Sequence, residues 1–198
     1  MRRAQILMLA GVALASPLAA APRLLELDGA RSAIEVRFGA TLQTVRGRLG
    51  PIAGTIQFDD ATGNPARGAI VIDLLDSATG VGRRDRKMHE KILETPRYPR
   101  AVFTLERVDL PSPLRQGRNT LQLHGVLDFH GAQRPLSLPV EAVVDGEEVA
   151  GTGFAIIPYV EWGLRDPSYW LLRVAKEVRV DVRTVGLLKT PPSAVDPQ

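Results

Sequence analysis

Three histidines, His89, His124 and His130, are the residues of this chain with the most versatile chemistry. Imidazole serves as a metal ligand and as a general base near neutral pH. His124 and His130 share one parity along a predicted strand, which places them roughly 20 Å apart if that strand is continuous. Gly125 and Gly131 follow them directly, as in turns or bulges. The spacing favours surface or hydrogen-bonded histidines over a metal site, and an enzyme that uses His124, His130 and nearby acids stays open as an alternative.

Nucleophiles and paired acids give no stronger signal of catalysis. Neither Ser77 nor Ser168 lies in a G-x-S-x-G sequence, the usual context of a hydrolase serine. Glu147 and Glu148 lie at a predicted turn, where carboxylates are ordinarily solvated. The chain has no cysteine, which excludes thiol nucleophiles, thiolate metal sites and disulfides. We therefore predict a protein without catalytic residues, metal or cofactor.

A dense cationic run over residues 82–93 is predicted to form one short helix. This helix places Met88 and Ile92 on one side, and Asp85 in its first turn suits the positive end of the helix dipole. Pro96 stops it. The cations spread around the remaining faces: Arg83, Arg84, Arg86, Lys87 and Lys91. The pattern predicts a lid-like helix with solvated charges.

The first 21 residues have the layout of a secretory signal peptide. Arg2 and Arg3 precede an uninterrupted apolar run over residues 6–15, and small residues follow it. We expect residues 1–21 to be removed. The apolar run is shorter than the ~20 residues of a membrane-spanning helix, and no later segment is longer. The predicted location is the bacterial periplasm.

The remaining chain is predicted to form one domain over residues 23–187. Residues 188–198 are polar and rich in proline, and we expect them to be a disordered tail. The formal charge is +3, and two of these positive charges leave with the signal peptide. Such a nearly neutral protein lacks the basic imbalance of a nucleic-acid binder, so nucleic acid is not an expected partner.

Alternation of apolar and polar residues dominates this domain and predicts β-strands with one buried face. It is clearest where Val178, Val180 and Val182 alternate with charged residues. Four earlier segments are also apolar at one parity: Ile34, Val36 and Phe38; Ile52, Ile56 and Phe58; Leu121, Leu123, Leu127 and Phe129; Leu136, Leu138, Val140 and Ala142. Further strands are predicted at 24–28, 41–48, 68–75, 100–109 and 148–159.

Eight or more such strands with one helical interruption predict an all-β domain whose antiparallel sheet closes on itself, because closure removes exposed edges. The interior of an eight-stranded barrel is filled by side chains or holds one small ligand. Alternation does not distinguish these two states. A structural or interaction protein with a filled barrel therefore stays open beside a hollow binding protein.

Five short motifs occur in a defined order along the domain. They are Gly47 with Gly54-x-Ile56-x-Phe58-Asp59, Ser77-x-Thr79-Gly80, Arg84-Asp85-x-x-Met88, Tyr98-Pro99-x-Ala-Val-Phe103, and Gly125-x-Leu127-x-Phe129-x-Gly131-x-x-x-Pro135-Leu136-x-Leu138. This order resembles the YceI-like family of polyisoprenoid-binding proteins across about residues 26–185. The resemblance implies a lipocalin-like antiparallel barrel of about eight strands, commonly periplasmic, whose pore holds a long isoprenoid chain.

Two positions depart from the family pattern. Arg31 precedes Ser32 where many members have histidine, and Gln43 follows Thr41 and Leu42 where histidine is frequent. If these positions contact the ligand's headgroup, the resemblance implies a different headgroup specificity here.

With this resemblance, the inward parity sets predict the lining of the pore. Burying one five-carbon isoprene unit is worth roughly 3 kcal/mol of gross transfer free energy, whereas an exposed ion pair contributes ~0–1 kcal/mol. The apolar wall should therefore dominate affinity. The predicted lining residues are Ile34, Val36, Phe38, Ile56, Phe58, Ile72, Phe103, Leu105, Leu123, Leu127, Phe129 and Phe154.

A secondary hypothesis places the cationic helix at the mouth of the pore. Arg83 and Arg84 are the candidate contacts to a phosphate or quinone headgroup, and contact with an anionic membrane is a further alternative. The predicted partner is a long-chain apolar lipid of isoprenoid type, with no other cofactor, and a quinone, a polyprenyl phosphate and an unrelated apolar molecule all stay open. The oligomeric state stays open, a dimer included.

Overall fold

The structure, a computed structural model, describes residues 22–41 and 43–190. These residues contain ten β-strands, one short α-helix and a π-helical turn. The strands are β1 (Pro22–Leu27), β2 (Ala33–Ala40), β3 (Gln43–Leu49), β4 (Ile52–Asp59), β5 (Arg67–Asp73), β6 (Arg100–Asp109), β7 (Gly117–Phe129), β8 (Ala132–Asp145), β9 (Glu148–Ile157) and β10 (Val178–Lys189). The helix α1 (Gly82–Lys87) continues into the π-helical turn (Met88–Ile92), and both lie between β5 and β6.

Eight of the strands close into an antiparallel barrel in the order β1-β4-β5-β6-β7-β8-β9-β10, and β10 pairs back to β1. The other two strands form the β2–β3 hairpin, which joins the same edge of β10 as β1 does. Residues 179–183 of β10 pair with β2, and residues 186–189 pair with β1. The barrel wall therefore forks along β10. The predicted all-β class, closed antiparallel barrel and single helical insertion are confirmed.

Ser32 stabilises the fork at Val185, where β10 pairs with neither β1 nor β2. The Val185 N–H donates to the Ser32 hydroxyl oxygen at 3.0 Å, and that hydroxyl donates to the Asp28 carbonyl at 2.7 Å. The Asp28 N–H in turn donates to the Val185 carbonyl at 2.8 Å. Both backbone groups of Val185 are thereby paired, so the wall changes partner without leaving an unsatisfied polar group.

Alternation sets the inner and outer faces of the wall, as predicted for β2 and β10. Val182 lies opposite Ile34 in the register of these strands, and Ile34 is only 1% exposed. Arg37 and Asp181 have the opposite parity and form an ion pair on the outer face, with Nε to Oδ2 at 2.9 Å. The apolar parity therefore faces the interior and the charged parity faces water.

The parity of β6 changes part way along because of a bulge. The register between β6 and β7 shifts between Leu105 and Arg107, so the buried positions change from odd numbers to even ones, beginning with Val108. Gly125 lies opposite Leu105. A Cβ at Gly125 would lie 2.1 Å from the Thr104 carbonyl oxygen, so only glycine allows the two strands to approach this closely.

The helical insertion begins at Gly82, as predicted, but its regular α-helical part is short. After Lys87 the chain widens into the π-helical turn, in which the Leu93 N–H donates to the Met88 carbonyl at 2.9 Å. Met88, Ile92 and Leu93 pack together against the end of the barrel, which confirms the predicted apolar side. The insertion therefore covers one end of the barrel with apolar side chains.

The C-terminal boundary of the domain lies two residues later than predicted. β10 continues to Lys189, and Leu188 is 8% exposed opposite Leu25 of β1, because these last residues complete the pairing that closes the ring. The predicted signal peptide at 1–21 and residues 191–198 of the predicted tail lie outside the described residues. In the part of the chain that the structure describes, no helix is long and apolar enough to cross a membrane.

Candidate ligand cavity

The barrel is hollow at one end. A cavity of about 570 Å³ lies beneath α1 and the segment 158–177, which connects β9 to β10. This volume is within the ~300–1,000 Å³ typical of small-molecule sites. Its deep wall is made of apolar side chains from seven barrel strands and the hairpin, including Ile34, Val36, Ile52, Ile70, Ile72, Phe103, Leu127, Leu138, Ala155, Val180 and Val182.

The cavity reaches solvent at one end, here called the mouth. The mouth is formed by five lining residues that are also exposed: Gln43, Val81, Arg83, Lys87 and Tyr169. The remaining polar lining residues, Thr79, Arg84 and Tyr159, lie at the same end of the barrel. The cavity thus combines an apolar interior with a polar, cationic rim, which suits a molecule with a long apolar part and a polar or anionic head.

A second, smaller cavity of about 110 Å³ follows the first along the barrel. The side chains of Ile70, Leu138 and Val182 line both cavities and form the boundary between them. Beyond this boundary, a buried cluster closes the opposite end of the barrel, here called the closed end: Ala142, Val144, Val149 and Leu188. The barrel is therefore nearly filled at one end and hollow at the other.

Most of the predicted lining residues face one of the two cavities. The larger cavity is lined by Ile34, Val36, Phe38, Ile72, Phe103, Leu127 and Phe129. The smaller cavity is lined by Ile56, Phe58 and Leu123. Leu105 is 3% exposed and belongs to the packed core without lining either cavity.

The predicted inward position of Phe154 is wrong. Phe154 lies on the outer face of β9, 41% exposed, with Cζ of Arg179 3.9 Å from the centre of its ring. Ala155 and Ile157 face the cavity instead. β9 has apolar residues at both parities, so alternation does not identify its inner face. The pairing of Ala155 with Val180 on β10 does.

Asp85 anchors the start of α1 to the segment before it. The Thr79 N–H donates to the Asp85 carboxylate at 2.7 Å, and the Thr79 hydroxyl donates to the same oxygen. Arg84 donates from Nε to the Thr79 hydroxyl oxygen at 2.6 Å and from Nη2 to the Thr79 carbonyl at 3.1 Å. Burial opposes ionisation of Asp85, but the bonds from Thr79 and the charge of Arg84 outweigh it and lower the pKa of the carboxyl. This network positions the helix over the cavity.

The two predicted headgroup contacts, Arg83 and Arg84, both line the cavity but are not equivalent. The guanidinium of Arg84 is committed to Thr79. Arg83 is exposed, and it makes no hydrogen bond or ion pair within residues 22–41 and 43–190. Lys87 contributes a second charge at the mouth, where its Nζ lies 5.3 Å from the centre of the Tyr169 ring. Arg83 is therefore the guanidinium available to a ligand.

The segment 158–177 forms a wall of the cavity that the sequence did not predict. It contributes Tyr159, Leu164, Pro167, Tyr169, Leu172 and Val174 to the lining. The buried hydroxyl of Tyr159 donates to the Ala175 carbonyl at 2.9 Å, and burial together with the charge of Asp166 raises the pKa of Tyr159 to about 12. The segment has no alternation, so its density of aromatic residues was the only signal that could have identified it.

The histidines do not form a site together. His89 bonds the Thr95 hydroxyl through Nδ1 at 3.0 Å and the Ser77 carbonyl through Nε2 at 2.8 Å, which ties the π-helical turn to the chain before it. His130 lies in the turn after β7 with a positive φ of 53°. Among the described residues, no group of three or more His, Asp or Glu side chains is arranged to hold a metal ion.

His124 lies on the outer face of the barrel between an acid and a hydroxyl. Its Nε2 is 2.9 Å from Oδ2 of Asp109, and its Nδ1 is 2.8 Å from Oγ of Ser137. This connectivity resembles a catalytic triad. Catalysis by a triad also needs a substrate cleft with oxyanion donors, and none of the three residues lines either cavity. The arrangement is a cross-strand hydrogen-bonded line on a convex surface.

Of the two positions that depart from the family pattern, only Gln43 lies at the mouth. Arg31 forms a bidentate ion pair with Glu148 at the closed end, with distances of 2.6 and 2.9 Å. The substitution at Arg31 therefore has no contact with the cavity. Of these two positions, only Gln43 is placed to contact a molecule in the cavity.

The fold and the cavity define a class of small closed antiparallel barrels that enclose an apolar, ligand-sized space under a helical cover. Residues 25–185 match the family model of the YceI-like domain. The match covers most of the chain, so this protein belongs to the YceI-like family, as the ordered motifs indicated.

Relatives and solved structures agree with this assignment. A UPF0312 protein of Shewanella baltica (strain OS185) is 24% identical over 155 residues, which cover 76% of this chain and 78% of the relative. The crystal structure of BcnA from Burkholderia cenocepacia matches with a TM-score of 0.67 at 18% identity, over 80% of this chain and 98% of BcnA. A polyisoprenoid binding domain from Saccharophagus degradans, implicated in plant cell wall breakdown, also matches with a TM-score of 0.67 at 18% identity, over 83% and 98% of the two chains. At these identities the structural likeness shows the fold.

Proposed function

We propose that this protein is an exported, non-enzymatic binding protein that encloses one long apolar molecule of isoprenoid type, a polyisoprenoid or a prenylated quinone, and sequesters or carries it. The observation that carries the proposal is the cavity of about 570 Å³, whose deep wall is apolar and whose polar lining residues all lie at the same end of the barrel as the mouth. A ligand of matching polarity would place its chain inside the barrel and its head at the rim.

The binding energy would come mainly from the chain. Each isoprene unit that leaves water contributes roughly 3 kcal/mol of gross transfer free energy, from which the ordering of a flexible chain subtracts. Arg83 at the exposed mouth contributes ~0–1 kcal/mol to an anionic head. Affinity should therefore follow the length of chain that fits the cavity more than the chemistry of the head.

Two further observations support the ligand class and the location. The structurally similar domain from Saccharophagus degradans is described as polyisoprenoid binding. The layout of residues 1–21, with two arginines before an apolar run, supports export to the periplasm.

The decisive experiment identifies the bound molecule directly. The protein is produced with its N-terminal segment in a Gram-negative host, purified from the periplasm without detergent, extracted with organic solvent and analysed by mass spectrometry. A prenyl lipid in stoichiometric amount is expected. Absence of any such lipid, together with no saturable binding of a long prenyl compound, would refute the proposal.

A matched pair of variants on β9 tests the cavity as the site. Ala155→Phe projects a ring into the larger cavity, whereas Ala150→Phe on the same strand projects an equal ring from the exposed outer face. The first variant should lose the copurified lipid and the second should keep it. Lipid retained at the wild-type level by Ala155→Phe would show that the ligand binds elsewhere.

The same pair separates this function from its two rivals. In a structural protein with a filled core, Ala155→Phe would overpack the interior and destabilise the fold by about 1–3 kcal/mol. In a hollow barrel the ring has room. An enzyme that depends on His124 would keep its activity in Ala155→Phe, because His124 lies on the outer face of the barrel.

A further inference from the structure

The segment 158–177 contains an exposed apolar turn beside the mouth. Its residues Tyr169, Trp170 and Leu171 are here called the tip. These three residues are 64%, 85% and 71% exposed, which makes them the most exposed large apolar side chains of the described residues. Tyr169 and Leu172 exchange backbone hydrogen bonds of 3.0 and 2.7 Å across a tight turn. Trp170 has a positive φ of 37° in this turn, a strained conformation for a bulky residue. The fold thus holds an indole ring and a leucine out in solvent.

The tip is held in a fixed position relative to the mouth. The Thr41 N–H donates to the Arg173 carbonyl at 2.8 Å, and the Arg173 N–H donates to the Thr41 hydroxyl oxygen at 2.7 Å. On its other side, Lys87 of α1 lies over the ring of Tyr169. Tyr169 also lines the cavity, so the tip and the cavity entrance share a side chain.

Cations lie beside the tip. Lys87 of α1 lies over the ring of Tyr169, and Arg83 lines the same mouth. Together, α1 and the segment 158–177 contain seven cations and four acids, Asp85, Glu161, Asp166 and Glu177, which leaves a net charge of +3. Two of these acids are bonded within the protein, since Asp85 accepts from Thr79 and Asp166 accepts from the Ser168 N–H at 2.8 Å. The elements that flank the tip therefore carry a net positive charge.

We propose that this tip docks into the surface of an anionic phospholipid bilayer, with the cations of α1 against the lipid headgroups. Tryptophan and tyrosine favour the boundary between headgroups and acyl chains, and clustered lysine and arginine are attracted to anionic lipids. The combination supplies the two contributions on which binding at a membrane surface depends, buried apolar area and electrostatic attraction to anionic lipids. A bilayer also fits better than a protein partner, because three side chains fall far short of the ~800 Å² that a stable protein interface buries on each side.

Docking in this position would place the mouth against the membrane. This consequence rests on the proposed function: a long apolar ligand would then pass between the acyl chains and the cavity without crossing water. The structure joins the membrane contact and the ligand site through Tyr169, which belongs to both.

The test is binding of the purified protein to unilamellar vesicles made of equal parts phosphatidylglycerol and phosphatidylcholine, measured by flotation. We expect binding to these vesicles at low salt, weaker binding at high salt, and little binding to phosphatidylcholine alone. Fluorescence reports the tip itself, because the chain has only two tryptophans. The vesicle-induced blue shift should disappear in Trp170→Phe and persist in Trp162→Phe.

Two double variants test the two parts of the surface. Trp170→Ser with Leu171→Ser should weaken vesicle binding about 10-fold or more through lost apolar insertion. Arg83→Glu with Lys87→Glu should weaken it about 10-fold and remove most of its salt dependence. Residues 1–21 are the same in every protein compared, so any contribution they make cancels.

Matched control variants have the same kinds of substitution at exposed residues of the closed end. Val143→Ser with Leu187→Ser removes two exposed apolar side chains, and Arg115→Glu with Arg118→Glu reverses two exposed charges. Both controls should bind vesicles as the wild type does. Equal losses in control and tip variants, or no binding of the folded wild type to anionic vesicles, would overturn the proposal, and the latter result would indicate that the tip contacts another protein.

Failure of docking is distinguishable from failure of the proposed function. A wild-type protein that carries a prenyl lipid but does not bind vesicles would refute docking alone. One that binds vesicles through the tip but carries and binds no prenyl compound would refute the ligand and leave the docking surface intact.

Discussion

At the closed end of the barrel, β1 completes the ring, and large side chains such as Phe58 and Leu121 pack around a cavity of about 110 Å³. At the mouth end, the β2–β3 hairpin takes the place of β1, and the side chains that face the cavity of about 570 Å³ include small ones such as Ala155 and Val180. At both ends, successive side chains of each strand alternate between the inner and the outer face of the wall. The comparison shows that alternation defines which face is inside, whereas side-chain size and the number of strands in the wall determine whether the inside is full.

The fork in the wall explains how one barrel has two widths. The diameter of a closed sheet grows with the number of strands around it. The hairpin adds two strands on one side of β10, and the isolated pairing of Arg48 with Ala78 connects its free edge to the segment before α1. The wall is thus wider where the helical insertion covers it and narrower where β1 pairs directly with β4.

The largest difference between the two ends is expected for truncation of a buried leucine. Leu188→Ala at the closed end should lower the free energy of unfolding by about 2–5 kcal/mol, because it leaves a void in a packed cluster. Leu136→Ala at the cavity wall should cost less than about 2 kcal/mol, because one side of Leu136 faces empty space. Urea unfolding of the lipid-free proteins measures both. Equal losses would show that the mouth end is packed.

Enlarging a side chain should lower stability at the closed end and should lower the amount of bound lipid at the mouth end. Val144→Phe at the closed end should destabilise the protein by about 1–3 kcal/mol through overpacking. Val180→Phe in the larger cavity should leave the stability of the lipid-free protein nearly unchanged and reduce the amount of bound lipid. Thermal unfolding and mass spectrometry of solvent extracts measure the two effects. A destabilised Val180→Phe with normal lipid content would contradict the assignment of the hollow end.

The cover of the mouth should depend on the ionised form of Asp85. Its pKa is lowered in the folded protein, so its contribution to stability is fully present above the unfolded pKa of ~3.9 and is lost as the pH falls through the lower folded pKa. Asp85→Asn should destabilise the protein by about 1–2 kcal/mol at neutral pH and should reduce the loss of stability on acidification.

The control for this prediction is Asp145→Asn, at the exposed last residue of β8 at the closed end. Its stability at neutral pH should equal that of the wild type. Hydrogen exchange adds a local measurement, since Asp85→Asn should increase exchange in α1 and the π-helical turn more than in the strands of the closed end. Uniformly faster exchange would mean that Asp85 supports the whole barrel and not its cover.

A smaller effect is expected from the cation at the rim. Arg83→Ala should weaken binding of an anionic prenyl ligand by ~0–1 kcal/mol, and the difference should vanish at high salt. Arg31→Ala, which removes an ion pair at the closed end, should leave ligand affinity unchanged. Titration with a prenyl phosphate at two salt concentrations measures both. A loss of more than tenfold for Arg83→Ala would show that the head, not the chain, dominates binding.

The smallest effect is expected at the outer face. His124→Ala breaks the line from Asp109 to Ser137 but touches neither cavity. Lipid content and ligand affinity should match those of the wild type. Hydrolysis of a simple ester that depended on His124 would instead support the enzyme alternative.

How much the sequence predicted depends on the contrast between neighbouring residues. Ile34, Val36 and Phe38 alternate with polar neighbours, and the structure places all three at the cavity. On β9 both parities are apolar, so pairing with β10 decided the inner face and Phe154 was predicted wrongly. At the mouth, the sequence predicted Arg83 and Arg84 but not the wall that the segment 158–177 forms. A segment without alternation is positioned by tertiary contacts, among them the bond from Tyr159 to Ala175.

The hollow interior could not be predicted from the sequence, for a different reason. Whether Ala155 and Val180 leave space depends on what faces them across the barrel, and that in turn depends on where the wall forks. The sequence contains no local sign of the fork. Ser32, which holds it, is one serine between two predicted strands, and its role became visible only with its bond to Val185.

The pairing of β1 with β10 joins residues 24–27 to residues 186–189, almost the full length of the domain. During synthesis, β1 can pair with β4 early, but its other edge has no partner until the last strand, β10, has been made. Contacts between such distant parts of a chain form slowly, and unpaired strand edges favour aggregation in the meantime. The order of assembly is thus constrained: β4 to β10 can pair successively with their neighbours in sequence, and the seam closes last.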